Sequence, residues 1–318
     1  MKTAYRFAVA AVPLRAGFFG LCKDKKKKEN VETGGPVAGG VDREKGSQGT
    51  VSIVEPEGYF KYGFPVPVHD VKRYNEYVRC YDRRTRNPNW VIEHITAESL
   101  KIRDGDRKKS VFKEDESIPS RFRALLRDYF RSGYDRGHQA PAADAKFSQE
   151  AMDETFYLTN MCPQVGDGFN RDYWAHLEDF CRRLTEQYRD VRIVTGPLYL
   201  PKKMDNGKYI VQYEMIGNPP NVAVPTHFFK IIVAEHHKSK PYDQRAALAA
   251  FILPNTAIPN EVPLEKFEVD ISAIENSAGV EFLPSMKYEP RRLCREFSCS
   301  IIVREFPKMI ETSKSLTK

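Results

Sequence analysis

The chain has 318 residues, with 50 Lys and Arg against 43 Asp and Glu, and a formal net charge of +7 at pH 7. Its 41% hydrophobic and 12% aromatic residues are typical of a globular protein and exclude a disordered, collagenous or transmembrane class. All of the excess charge lies in residues 1–28, which hold eight basic residues and one acidic residue. The rest of the chain is balanced, so any nucleic-acid site must come from local basic clusters.

Residues 1–22 are predicted to be a targeting segment. They contain basic residues and no acidic one, which is typical of a mitochondrial presequence. Pro13 and Arg15 interrupt their apolar run, and a membrane span needs roughly 20 mostly apolar residues. A secretory signal peptide and a disordered basic tail are the alternatives. Residues 23–57, a lysine run followed by several glycines, are predicted to be a flexible linker.

The six cysteines are scattered along the chain and form no C-x-x-C pair, which argues against a zinc knuckle or a thioredoxin-type site. Even if all six cysteines paired, about one disulfide bond per hundred residues would be too few for a disulfide-stabilised scaffold. We therefore expect free thiols in a reducing compartment. The cysteines are Cys22, Cys80, Cys162, Cys181, Cys294 and Cys299.

The folded domain is predicted to span residues 58–306, followed by a polar tail at 307–318. Short apolar, β-rich runs bounded by Gly, Pro and Asn predict buried strands. These runs are Glu76–Tyr81, Trp90–Ile95, Val191–Thr195, Tyr209–Met215, His227–Val233 and Ala247–Leu253. The strands do not alternate regularly with helices. This arrangement favours an α+β fold with a central mixed or antiparallel β-sheet and flanking helices.

One helix is predicted at Asp172–Arg189. Its apolar residues recur at alternating steps of three and four and form a single stripe. The stripe consists of Trp174, Leu177, Cys181, Leu184 and Tyr188. Asn170 just before the helix and Asp172 in its first turn are a start signal. His176 lies off the stripe, and we expect it to face solvent.

The stretch from Tyr134 to Glu178 carries the chemistry. The imidazole of His138 titrates near neutrality and can accept a proton from water, while the guanidinium of Arg136 suits phosphate oxygens. Downstream, Asn170 offers an amide oxygen and Glu178 a carboxylate two helical turns later. Each residue alone has an ordinary structural explanation, as a core histidine, a helix cap or a solvated glutamate. Their combination in one segment indicates a catalytic site.

A magnesium ion would complete this set. Mg²⁺ keeps several waters and accepts few protein ligands, so one asparagine and a water-linked glutamate are chemically adequate. Together the groups predict metal-assisted hydrolysis of a phosphodiester, with His138 as the general base. Mn²⁺ is an alternative metal.

Several long blocks extend beyond these positions, among them YDRRTRNPNWVIEHIT (81–96), RSGYDRGHQAPAADAKFS (131–148) and ETFYLTNMCPQ (154–164). Through them the sequence resembles the DNA/RNA non-specific endonucleases of the ββα-metal superfamily. Within that family it resembles most the mitochondrial endonuclease G and fungal mitochondrial nuclease branch. The resemblance covers roughly Gly58 to Phe306.

The resemblance implies a role for each site residue. His138 would be the general base, Asn170 the direct Mg²⁺ ligand, Glu178 the residue that orients a metal-bound water, and Arg136 the phosphate contact. It also implies a homodimer that cleaves DNA and RNA and leaves 5′-phosphate ends. The implied location is mitochondrial, in the inner membrane or intermembrane space. Inner-membrane association through the N-terminal segment, nuclear release and a part in apoptotic DNA degradation are further expectations.

Basic clusters around the motif supply a surface for nucleic acid. Lys101–Arg136 holds eleven basic and seven acidic residues, and phosphate contacts bind without reading sequence. Arg123 and Phe112 are predicted to contact nucleic acid, the latter by stacking. The alternative is that most of these arginines pair with neighbouring acids. The competing hypothesis for the whole protein is a nucleic-acid-binding or interaction protein without catalysis.

Overall fold

The computed structural model describes residues 70–240 and 242–304. The predicted targeting segment, linker and polar tail lie outside the described residues, as does the predicted start of the domain near residue 58. The strands are β1 (Asp70–Arg73), β2 (Tyr77–Asp82), β3 (Asn87–Ile95), β4 (Asp135–His138), β5 (Met161–Gln164), β6 (Tyr188–Leu198), β7 (Lys202–Lys203), β8 (Tyr209–Ile210), β9 (Met215–Ile216), β10 (Val222–Ala223), β11 (His227–His237), β12 (Ala247–Pro254) and β13 (Arg291–Arg292). The helices are α1 (Ala97–Lys101), α2 (Leu126–Tyr129), α3 (Gln149–Glu154), α4 (Tyr173–Leu184), α5 (Ile271–Ala278) and α6 (Leu293–Glu296). None of these helices has the length and apolar character needed to cross a membrane.

A seven-stranded sheet in the order β1-β2-β3-β6-β11-β12-β13 organises the domain. Its neighbouring strands are antiparallel except for the parallel pair β12–β13. In the middle of the sheet, Ala234 of β11 lies opposite Val191 of β6 and Ala247 of β12. The prediction of an α+β fold with a mixed sheet is confirmed.

The sheet is covered on both faces. Phe228 and Ile232 of β11 pack in the core that includes α4, whereas Phe229 and Ile231 pack in the core that includes α5. Successive side chains of a strand point to opposite faces. A strand buried on both faces therefore reads as an unbroken apolar run, as β11 does.

Helix α4 ends earlier than the spacing predicted. The helix buries four residues of the predicted stripe and ends at the last of them. These four are Trp174, Leu177, Cys181 and Leu184. The next amides make tighter bonds to carbonyls three residues back, and Tyr188 opens β6 opposite His237. Tyr188 therefore matches the helical spacing by coincidence and belongs to the sheet.

The expectation that His176 faces solvent is wrong, since it is 1% exposed. A second stripe of α4, formed by Tyr173, His176 and Phe180, is also covered. The Tyr173 hydroxyl donates to the carbonyl of Val262, and the ring of Phe180 packs on Phe297. Segments more than eighty residues downstream thus bury the side of α4 on which His176 lies.

The predicted buried strand Tyr209–Met215 is also wrong. Only Tyr209–Ile210 pairs there, with Lys202–Lys203, and Met215–Ile216 pairs with Val222–Ala223. Tyr209, Ile210 and Val211 are 61%, 43% and 51% exposed. This apolar run belongs to a small hairpin outside the main sheet, so nothing in the described chain covers it. The other five predicted strands correspond to β2, β3, β6, β11 and β12.

The cysteines are not all free. Cys294 and Cys299 form a disulfide, while Cys80, Cys162 and Cys181 are buried and not disulfide-bonded. The six cysteines as a set are scattered along the chain, but these two are only five residues apart. Helix α6 and the turn after it bring the two sulfurs together.

Candidate active site

A two-stranded hairpin followed by a helix builds the candidate site. Strands β4 and β5 pair antiparallel, with His138 opposite Met161 and Arg136 opposite Pro163. The chain then passes through a helical turn at Gly166–Asn170 into α4. This ββα unit lies beside the main sheet and contains all four residues of the predicted catalytic set.

Gly137 allows the hairpin to close. A Cβ atom at this position would overlap the side-chain amide of Gln164, the residue that ends β5. Any larger residue would force the buried side chain of Gln164 to move. The glycine between the arginine and the histidine thus leaves room for this side chain.

Arg136 and His138 lie on the same face of β4, because side chains alternate along a strand. His138 is 8% exposed. The ring of Phe156 lies edge-on to it at 4.9 Å, and the ring of Phe112 lies at 5.8 Å. Its Nε2 is buried without a hydrogen-bond partner. The imidazole is therefore held in an aromatic enclosure.

Burial lowers the pKa of His138 well below its ordinary value of 6.5, and the guanidinium groups of Arg107 and Arg136 lower it further. Desolvation and nearby positive charge both disfavour the imidazolium form. The imidazole is therefore neutral at pH 7 and free to accept a proton.

Arg107 is a residue of this site that the sequence reasoning did not single out. It begins a short turn, Arg107–Lys109, and its guanidinium lies 5.3 Å from the ring centre of Phe156. Its charge lowers the pKa of both His138 and Glu178. Arg107 therefore links the base on β4 to the carboxylate on α4.

Asn170 is not a helix cap, because the cap of α4 is Asp172. Its Nδ2 donates to the Oδ2 of Asp135 at 2.8 Å. The guanidinium of Arg171 grips the same carboxylate, with Nε at 2.8 Å from Oδ2 and an Nη at 2.6 Å from Oδ1. Because Nδ2 is engaged, Oδ1 is the group that Asn170 offers to a ligand.

The turn that carries Asn170 is fixed by its backbone. Gly168 has a φ of 76°, a left-handed conformation that favours glycine. Its amide donates to the Asp172 carboxylate at 2.6 Å, and its carbonyl accepts from the amide of Ile258 at 3.0 Å. A Cβ on Gly168 would also meet the Cβ of Ala257 at 2.6 Å.

Glu178 is half-buried in the second turn of α4. Burial raises its pKa to about 7, against the opposing charges of Lys230, Arg182 and Arg107. No described group of three or more His, Cys, Asp and Glu side chains could hold a metal ion. The donors here are instead one amide oxygen and one carboxylate, which suit a hard cation that keeps its waters.

Arg136 and Phe112 lie together. The guanidinium of Arg136 is 4.2 Å from the ring centre of Phe112, whose ring in turn approaches His138. Both residues are half-buried and line the same open groove. The two predicted contacts to nucleic acid thus lie next to the predicted base.

Arg123 is placed differently. Its Nε donates to the carbonyl of Ile118 and an Nη to the carbonyl of Glu116. The guanidinium therefore braces its own loop, and no recorded contact joins it to His138. Its predicted contact with nucleic acid stays a prediction. Asn160, interpreted from the sequence as a structural brace, does bond to the backbone of Ala140 and Thr155.

A mixed sheet with an attached hairpin and helix, the histidine on the hairpin and the amide and carboxylate at the helix, is the ββα-metal arrangement of nucleases. Comparisons with known proteins agree. A family model described as DNA/RNA non-specific endonuclease matches residues 55–289.

Individual relatives match over most of their length. The mitochondrial nuclease of Saccharomyces cerevisiae is 64% identical over 256 residues, which cover 80% of this chain and 78% of that protein. The mitochondrial endonuclease G of Homo sapiens is 43% identical over 226 residues, covering 71% and 73%. A crystal structure of an EndoG/EndoGI complex matches with a TM-score of 0.69 at 48% identity, covering 74% of this chain and 94% of that one. The chain belongs to the DNA/RNA non-specific endonuclease family.

Proposed function

We propose that this chain is a mitochondrial endonuclease that hydrolyses phosphodiester bonds in DNA and RNA with Mg²⁺, leaving 5′-phosphate ends. The observation that carries the proposal is the position of the His138 imidazole on the hairpin of the ββα unit, enclosed by aromatic rings and flanked by two arginines. Family membership and the names of the relatives support the substrate class and the compartment.

His138 acts as the general base. Since its Nε2 is enclosed by the protein, Nδ1 is the nitrogen that accepts a proton from the attacking water. The oxygen of that water forms a bond to phosphorus, and the bond from phosphorus to the 3′ oxygen breaks. The 3′ oxygen gains a proton from solvent, and the phosphate stays on the 5′ end.

Arg136 and Arg107 bind the phosphate. Their planar guanidinium groups match phosphate oxygens, and both act electrostatically on His138. The same two charges therefore keep the base neutral and stabilise negative charge on the reacting phosphate.

Asn170, through Oδ1, and Glu178, through a water, are the residues that would hold Mg²⁺ or, in its place, Mn²⁺. A bound ion of this kind supplies positive charge to the phosphate and the leaving oxygen. Because the Asn170 Nδ2 donates to the Asp135 carboxylate, the Asn170 Oδ1 points away from Asp135.

The active form is proposed to be a homodimer. Its proposed location is the mitochondrial inner membrane or intermembrane space, with association to the inner membrane through residues 1–22. Release to the nucleus is also part of the proposal.

The test compares wild type with the His138→Ala variant on plasmid DNA and on RNA, with Mg²⁺ and with EDTA. We expect the variant to lose about 10²- to 10⁴-fold in rate, the usual contribution of a general base, while its thermal melt and DNA affinity stay close to wild type.

His237→Ala is the matched control. His237 is also 8% exposed, lies edge-on to a ring, that of Tyr188, and has a pKa lowered by burial. It lies outside the ββα unit, so its variant should cleave normally. Full activity in His138→Ala would contradict the mechanism. Wild type that binds DNA but shows no metal-dependent cleavage would favour the binding-protein hypothesis.

A further inference from the structure

An open groove of about 540 Å³ adjoins the candidate active site. It is lined by Ser110, Val111, Phe112, Leu126, Arg127, Phe130 and Arg136. Phe130 and Val111 are 71% and 70% exposed, and Leu126 is 38% exposed. The groove thus places exposed apolar side chains beside two arginines, Arg127 and Arg136, next to the candidate site.

Helix α2 beside the groove leaves part of its apolar surface exposed. Leu126 and the following Phe130 face out, whereas Asp128 and Tyr129 are buried. The Asp128 carboxylate accepts from the amide of Leu125 and from the side chain of Asn221, both at 2.7 Å. With Asp128 and Tyr129 on the inner side of the helix, Phe130 lies on its outer side.

The backbone after the helix holds Phe130 outward as well. Arg131 has a φ of 53°, a left-handed conformation that is unfavourable for a residue with a Cβ atom. Its guanidinium lies 5.1 Å from the ring centre of Phe130. Strained backbone conformations concentrate at ligand-binding segments, and here the strain presents an aromatic ring.

The chemistry of the groove favours a nucleotide. Arg127 and Arg136 line it, and Arg131 lies on the ring of Phe130. Aromatic rings flanked by guanidinium groups bind bases by stacking and the backbone by charge. Phe112 separates the groove from His138 by a single ring.

We propose that this groove, with Phe130 as its stacking platform, binds an unpaired base of a nucleotide that flanks the cleaved phosphate. The inference rests on the proposed function, because it places the groove next to the reacting group. A base inside a duplex cannot offer its face to Phe130. The groove therefore gives the enzyme a preference for single-stranded stretches of DNA and RNA.

The test measures binding by fluorescence anisotropy in EDTA, so that the probes remain intact. The probes are a short labelled oligothymidylate and an abasic oligomer of the same length, which carries the same phosphates without bases. Phe130→Ala should weaken binding of oligothymidylate about 5- to 150-fold, the range for losing one base–aromatic stack. Its affinity for the abasic oligomer should stay at the wild-type level.

Phe130→Trp keeps a stacking ring and should retain tight binding of oligothymidylate. Tyr242→Ala removes another aromatic side chain, 97% exposed and in the turn after β11, and should change neither affinity. Because Phe130 is exposed, its variants should melt like wild type.

Unchanged affinity of Phe130→Ala for oligothymidylate would overturn the inference, and the groove would then be assigned to a protein partner. An equal loss on both oligomers would overturn it too, since it would show a general loss of charge or fold. Failure of the proposed function is a separate result. Wild type that binds oligothymidylate through Phe130 but does not cleave it with Mg²⁺ would contradict catalysis and leave the stacking site standing.

Discussion

His138 owes its protonation state to its neighbours. A histidine in water is half-protonated near pH 6.5 and makes an inefficient base at slightly acidic pH. Here the enclosing rings of Phe112 and Phe156 remove water, and two arginines add positive charge. Both effects oppose protonation, so the neutral base persists as the pH falls through 6.5.

NMR titration of the metal-free protein tests this state. The imidazole of His138 should titrate with a midpoint well below 6.5, because its pKa is lowered. Arg107→Gln removes one positive charge and should move the midpoint upward. The midpoint should still stay below 6.5, since burial is the larger cause. A wild-type midpoint at or above 6.5 would contradict the assigned environment.

Asp135 positions Asn170 and would not itself touch the substrate. Asp135→Ala frees the Asn170 amide to rotate, so the Mg²⁺ concentration for half-maximal cleavage should rise about 10- to 100-fold, as when partners of a metal ligand are removed. The KM for DNA should change much less. Asp167→Ala is the control, because Asp167 also pairs with Arg171 at 3.1 Å and has no recorded bond to Asn170. Equal effects of the two variants would show that the ion pairs with Arg171, and not the hydrogen bond to the Asn170 amide, set the Mg²⁺ requirement.

At this scale the sequence predicted His138, Arg136, Asn170 and Glu178 because they lie in one contiguous motif. Arg107 was one of eleven basic residues in its segment, and nothing local distinguished it. Its position depends on a contact with the ring of Phe156 and on the effect of its charge on Glu178, and both residues lie far along the chain. Such contacts have no periodicity and leave no local pattern.

At the scale of elements, α4 carries Glu178 of the candidate site and packs against the C-terminal segment. Phe297 packs on Phe180, Arg183 donates to the carbonyl of Ser300 at 2.8 Å, and Arg304 pairs with Asp179 at 3.2 Å. The sequence predicted the helix and its sheet-facing stripe from spacing. It could not predict the second buried stripe, because the covering segment lies over a hundred residues away.

The disulfide between Cys294 and Cys299 closes a short loop in this supporting segment. Closing so short a loop contributes about 2 kcal/mol by restricting the unfolded chain. A Cys294→Ser, Cys299→Ser double variant should lose about that much free energy of unfolding in a urea titration. Reductant should lower wild type to the same value and leave the variant unchanged. A variant as stable as wild type, with or without reductant, would show that the bridge does not stabilise the domain.

At the scale of the whole molecule, the net positive charge and the candidate active site lie in different parts of the chain. The eight basic residues of the first 28 account for the entire +7, and the remaining basic and acidic residues balance. We therefore propose that binding depends on local arginines beside the site, such as Arg107, Arg127 and Arg136. On this proposal the basic N-terminus serves targeting and the arginine cluster binds substrate.

A chain lacking residues 1–28 tests this division. Each phosphate contact contributes about −0.9 to the slope of log affinity against log salt for duplex DNA. The shortened chain should keep the slope and affinity of the full chain, because its phosphate contacts are in the folded domain. A slope that becomes shallower by several units would show that the N-terminal lysines bind DNA directly.

We propose that the ββα unit holds a catalytic cation through Asn170, next to a neutral His138. Anomalous diffraction from a crystal soaked in Mn²⁺ would locate this ion. We expect one strong peak within bonding distance of the Asn170 Oδ1, with waters as its other ligands and one of them bonded to Glu178. A peak bound elsewhere, or bound to the imidazole of His138 itself, would contradict it.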